Sequence, residues 1–200
     1  MSIWDVRGAR RVHVLQGHRS DVVGLGFARS GRFLASTSWD NALRLWDFSS
    51  GLHLVSAVGN LAVRFSPDDA VLASISNAGP VELWRVADGA ECRLLRDRHT
   101  GEKPLRTVDF AAGGRLLVVA GRGGLGLWDV GRGDQVDFLP ARDAAATAVH
   151  DEGASSIVIS DSGDVSCLPV RASPSAPGGF EVGPAIPLGA RGALLAAGGP

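Results

Sequence analysis

Short apolar runs alternate with turn-forming clusters along nearly the whole chain, and they recur in a fixed order. One set of runs ends in an aromatic residue: VVGLGF at Phe27, LAVRF at Phe65 and LRTVDF at Phe110, with ATAVH at His150 as a fourth copy. A turn follows each (ARSG, SPDD, AAGG, DEGA), and Gly, Pro and Asp there suit β-turn dihedrals. Next come RFLAST, VLASI, RLLVVA and SSIVI, then a second tight turn (WDN, NAGP, GRGG, DSGD). The third run of each unit carries Trp46, Trp84 or Trp128, with Leu168 in that slot of the fourth. A Gly-bearing turn then leads to a more polar run: HLVSA, AECRLL, QVDFL. Short strands separated by turn signals at this spacing predict an all-β fold. No stretch keeps a 3.6-residue apolar period long enough for a helix.

The repeat is metrical as well as compositional. Trp4, Trp46, Trp84 and Trp128 are separated by 42, 38 and 44 residues, and Leu168 lies 40 beyond. From the aromatic slot to the Trp slot the distances are 19, 19, 18 and 18. The inner part of each unit is therefore nearly constant in length, and the variation sits in the connection that precedes it. Such self-similarity is the mark of a repeat architecture.

The 200 residues are 45% hydrophobic and 20% charged, the composition of a globular chain rather than a disordered one. A net charge of −1 gives no basic surplus for nucleic acid. Of the 20 basic residues only Lys103 is a lysine. Apolar runs such as 116–120 are far too short to span a bilayer, and MSIWDVRGARR has no apolar signal core. No membrane insertion is expected. Two cysteines, Cys92 and Cys167, make no disulfide framework, and a reducing cytoplasmic setting is the expectation.

Gly17-His18, the run LASTSWDNALRLWD from Leu34 to Asp47, the turn SPDD from Ser66 to Asp69, and the WDF and WDV endings resemble the WD-repeat β-propeller family, in arrays of bacterial type. The likeness covers roughly residues 2–170. It implies four-stranded antiparallel blades around a central channel. It also implies a hydrogen-bonded brace in the first full repeat, formed by His18, Ser36, Asp40 and Trp46. Asp40 would accept from the His18 ring, His18 from the Ser36 hydroxyl, and Ser36 from the Trp46 indole. The second repeat keeps Ser74 and Trp84 but has Ala78 in the Asp slot, and the third has His99 and Trp128 without the Asp.

On this reading, residues 1–15 form a partial blade, with blades at about 20–57, 60–95, 104–139 and 144–188 and a low-complexity tail at 189–200. Four blades and half of a fifth read as part of a ring, whose open ends invite self-association.

Other motifs have plainer explanations. Gly121 to Gly126 spells G-x-G-x-x-G, but a nucleotide site requires a helix next, and LWDV follows. HTGEKP at 99–104 looks like a zinc-finger linker without the finger's cysteine and histidine pairs. His18, Ser36 and Asp40 are the elements of a hydrolase triad, yet the resemblance buries them. His13, His53 and His150 show no metal-ligand spacing, and Arg132-Gly133-Asp134, an adhesion tripeptide, sits in a turn. No cofactor, metal or catalytic constellation is expected.

The expected function is a non-catalytic platform for a protein or peptide partner. The alternative is the sensing arm of a larger bacterial signalling protein whose kinase or NTPase domain lies outside this chain. The resemblance places the partner face on the first-strand entry loops and the second-to-third-strand turns: Arg19, Ser20, Trp39, Arg98, His99, Glu102, Lys103 and Arg122. Trp39 either meets a partner there or packs on a neighbouring blade.

Overall fold

The computed structural model describes residues 1–58, 61–75, 81–86, 92–95, 105–150, 155–160, 164–176 and 179–187. Among them every regular element is a strand except one 3-10 turn, Ala112–Gly114. Strands β1 (Ser2–Asp5) and β2 (Arg10–Val14) pair as an antiparallel ribbon. Strands β3 (Val22–Phe27), β4 (Phe33–Ser38), β5 (Ala42–Asp47) and β6 (Leu52–Val58) form a sheet in sequence order. So do β7 (Ala62–Phe65), β8 (Val71–Ile75), β9 (Val81–Arg85) and β10 (Cys92–Leu95).

The remaining strands join in one seven-stranded sheet: β11 (Leu105–Ala111), β12 (Leu116–Asp129), β13 (Asp134–His150), β14 (Ser155–Ser160), β15 (Val165–Ala172), β16 (Phe180–Val182) and β17 (Ile186–Pro187). An extended run the length of β12, 14 residues, would separate its ends by about 45 Å. Yet Val130 N–H donates to the Arg115 carbonyl at 2.9 Å. The segment therefore folds back on itself, around Gly123 and Gly124 with φ of 107° and 146°, where a side chain would be strained. β13 differs from a strand–loop–strand expectation. It runs unbroken, pairing with β12 over Asp134–Asp143 and with β14 over Ala144–His150. The stretch ARDAAAT holds no glycine, and nothing in it forces a turn.

The sheets stack face to face, and period-two alternation serves two neighbours at once. In β12, Leu117 and Val119 join a buried cluster with Val108 of the adjacent β11 and with Ile75, Val81 and Leu83 of the sheet before. Leu116, Val118 and Ala120 join another with Leu168, Val170 and Phe180 of the unit after. A strand buried on both faces must be apolar at every position, which is why RLLVVA does not alternate. Each fully buried Leu or Val there stabilises by about 1.5–3 kcal/mol.

Spacing between the inner strands is set by small residues. A Cβ on Gly24 would collide with Thr37 Oγ1 and lie 3.0 Å from the Leu61 carbonyl of the next sheet. On Gly26 it would lie 3.2 Å from the Val63 carbonyl. Between consecutive turns, Asp69 accepts from the Arg29 and Ser30 N–H groups at 2.6 and 2.8 Å, tying the second sheet to the first.

Candidate functional site

Antiparallel order gives every sheet two ends. Arg19, Ser20 and Trp39 lie at the end where β3 begins and β4 ends, and Arg122 lies at the same end of the third unit. The turns at 28–32, 66–70, 112–115 and 129–133 lie at the opposite end.

Beneath Trp39, the structure brings His18, Ser36, Asp40 and Trp46 together. His18 Nδ1 lies 3.2 and 3.1 Å from the two Asp40 oxygens, and Nε2 lies 2.7 Å from Ser36 Oγ. The Trp46 indole donates to Ser36 Oγ at 2.9 Å. A carboxylate can only accept, so Nδ1 carries the proton and Nε2 accepts from the serine hydroxyl. Ser36 then donates once and accepts once, and the chain closes with nothing orphaned. Burial pushes the Asp40 carboxyl up. The Arg19 N–H, the His18 ring, the Ala42 N–H and the Ser38 hydroxyl outweigh that and hold it at about 2. Ser36 is wholly buried and engaged on both sides, so this triad-like set presents no nucleophile to a substrate.

The other units carry weaker versions. In the second, the Trp84 indole donates to Ser74 Oγ at 3.3 Å. Ala78 lies outside the described residues, but Glu82 on β9 turns its carboxyl to the same two side chains. Burial raises its pKa, and the bonds from Trp84 and Ser74 offset this only in part. Sequence reasoning missed Glu82, because its partners become visible only in the register Ser74 opposite Glu82. In the third unit Val119 occupies the serine slot, and the fully buried Trp128 indole N–H has no partner among the described residues. His99 lies outside them.

Trp39 is 66% exposed. Its backbone is nonetheless held. Trp39 N–H donates to the Asp21 carbonyl at 3.0 Å, Asp40 N–H to Ser38 Oγ at 3.1 Å, and Asn41 N–H to the Ser38 carbonyl at 3.0 Å. Arg19 N–H donates to Asp40 Oδ2 at 2.8 Å, so Arg19 and Trp39 flank one carboxylate. Arg19, Ser20 and Arg122 are exposed. No described contact joins Arg122 to Trp39. Arg98, His99, Glu102 and Lys103 lie outside the described residues.

Among the described residues no group of three or more His, Cys, Asp or Glu side chains is placed to hold a metal, and Cys167 is a free thiol. Among them, too, no helix is long and apolar enough to cross a membrane. An opening of about 620 Å³ lies at the end opposite Trp39, between the turns at 112–115 and 129–133 and residues Pro174, Ala176 and Gly179. The sequence hinted at it only through the turn RGD.

Residues 9–47 match the family described as WD domain, G-beta repeat. The periodic tryptophan protein 2 homolog of Mus musculus is 34% identical over 113 residues, 53% of this chain and 12% of that protein. The COMPASS component SWD3 of Saccharomyces cerevisiae is 25% identical over 179 residues, 78% of this chain and 57% of that protein. The chain thus spans only part of the relatives it matches. Both of these relatives are eukaryotic, and they give no support to an array of bacterial type. The crystal structure of the Cps50 (Swd1) β-propeller domain of Myceliophteria thermophila superposes with a TM-score of 0.78 at 16% identity, covering 92% of this chain and 64% of that one. Residues 9–47 thus resemble a WD40 repeat, and they lie within antiparallel sheets that stack as β-propeller blades and, among the described residues, do not close into a ring.

Proposed function

We propose that this chain is a non-catalytic interaction platform, whose protein or peptide partner docks on the end of the sheets that bears Arg19, Ser20, Trp39 and Arg122. The observation that carries the reading is Trp39: a large aromatic, two-thirds exposed, on a turn whose backbone is pinned on both sides. Trp and Arg dominate interface energetics, and a rigid turn presents them with little ordering entropy left to lose. The relative SWD3 is by name a component of an assembly, in keeping with a scaffold. No observation favours the signalling-arm alternative.

Selection of a displayed random peptide library against the immobilised chain tests this. Binders are expected to lose at least about tenfold in affinity on Trp39→Ala, since hot-spot truncation exceeds roughly 2 kcal/mol. Thermal melting should stay unchanged. Binders indifferent to both Trp39→Ala and Arg19→Ala would overturn the assignment of this face.

A further inference from the structure

The opening at the opposite end is lined by Gly114, Arg115, Asp129, Arg132, Pro174 and Ala176, among others. Its walls are preformed turns. Arg132 N–H donates to Asp129 Oδ1 at 2.9 Å and Gly133 N–H to the Asp129 carbonyl at 2.7 Å, which fixes the turn that bears Arg132. The facing turn is closed by Ser173 N–H to the Gly179 carbonyl at 2.9 Å and Gly179 N–H to the Ala176 carbonyl at 2.9 Å. Arg115 lines the same opening, and its guanidinium lies 5.1 Å over the buried Phe180 ring. Stacking restrains that side chain while leaving its N–H fork available.

Among the described residues neither Arg115 nor Arg132 forms an ion pair. Among the described residues Asp129 is the one acid in the lining, and it already accepts from the Arg132 backbone. Two arginines from two separate turns thus line one space together with a single described carboxylate. Planar forks of this kind recognise oxyanions, and phosphoryl groups most strongly, because they offer three acceptor oxygens and close to two charges. The volume exceeds what a lone carboxylate fills and admits a whole phosphorylated residue.

We infer that this cleft is a binding site for a phosphorylated serine or threonine side chain of a partner polypeptide, with Arg115 and Arg132 as its cationic walls. The site is independent of the Trp39 face and stands if that face fails.

Calorimetric titration of the full chain with N-acetyl-phosphoserine amide at low ionic strength tests it, with inorganic phosphate and N-acetyl-glutamate amide as parallel probes. The phosphoserine probe is expected to saturate, with the other two at least about tenfold weaker. Arg132→Gln and Arg115→Gln should each weaken it by about tenfold, the scale of one lost charge-assisted hydrogen bond. Asp129→Asn keeps the acceptor for Arg132 N–H but removes the like charge, so it should tighten binding several-fold. A merely destabilised variant would not do that. Trp39→Ala should leave the titration unchanged. The inference is overturned by absence of saturation, by indifference to both arginine variants, by weakening on Asp129→Asn, by glutamate binding as tightly as phosphoserine, or by free phosphate doing so.

Discussion

Asp40 lies where burial, backbone and side chain meet. Its carboxylate takes bonds from His18, from the N–H groups of Arg19 and Ala42, and in turn orders Ser36 and Trp46 through the imidazole. Asp40→Ala would strand the His18 Nδ1 proton in a site where both side chains are nearly closed to water. Each buried polar group left unpaired costs about 1–3 kcal/mol, so a loss near 3 kcal/mol, or roughly 10 °C in melting temperature, is expected. The pH dependence follows from the same bonds. The native pKa of about 2 lies below the ordinary 3.8, so the stabilisation is present in full above about pH 4 and is lost as pH falls toward 2. Urea titrations at pH 7, 4, 3 and 2 on the parent and Asp40→Ala should show their difference in stability shrinking down that window. An equal melt for the two at pH 7 would remove the brace from this account. These four residues were legible because Gly17-His18 and LASTSWDNALRLWD stand in one continuous match. Glu82 was not, because its place beside Ser74 depends on cross-strand register rather than on spacing along the chain.

Strand identity was legible for the same reason that each strand exists: period, turn chemistry and length agree. Less visible was that inner strands approach so closely that their small residues are obligatory. VVGLGF reads as an alternating strand with two dispensable glycines, yet Gly24 faces the Leu61 carbonyl and Gly26 the Val63 carbonyl. A Cβ at Gly24 meets Thr37 Oγ1 and backbone, neither of which can swing far. Gly24→Ala should therefore destabilise by about 2 kcal/mol, within the 1–3 kcal/mol range of overpacking, although alanine is the better residue for an isolated strand. At Gly26 the nearest atom stands at 3.2 Å, and the expected loss is smaller. Chemical denaturation of both variants measures the order. Alanine tolerated better at 24 than at 26 would contradict the inter-sheet spacing. The continuous β13 was also beyond sequence reading, since residues 139–144 read as the boundary between two blades, whereas the chain simply passes from one ladder to the next.

At the scale of the molecule, the question is which apolar surface remains uncovered. On β3 the glycine side faces the second sheet, so Val23, Leu25 and Phe27 point the other way. The β1–β2 ribbon covers only part of that face. Met1 and Ile3 pack on Leu15, Leu34 and Trp46, and His13 stands edge-on to Phe48 at 5.4 Å. Leu25 and Phe27 are left about half exposed, and Trp4, in the slot where Trp46 and Trp128 are buried, is 58% exposed. An apolar patch of this kind beside a two-stranded ribbon whose outer edges are both unpaired among the described residues is a surface that monomers rarely leave open. The chain by itself is therefore expected to self-associate through this face, with an apparent mass by light scattering that rises with concentration. Salt should weaken the association little, since the patch is apolar and screening acts on charge. Leu25→Glu together with Phe27→Glu should return a monomer, because charges on an exposed sheet face oppose both stacking and edge pairing. Neither side chain belongs to a buried cluster, so the double variant should keep its cooperative melt. A parent chain that stays monodisperse and monomeric across the concentration range would show that this face is covered from within the chain, and the double variant would then lose stability instead of gaining solubility.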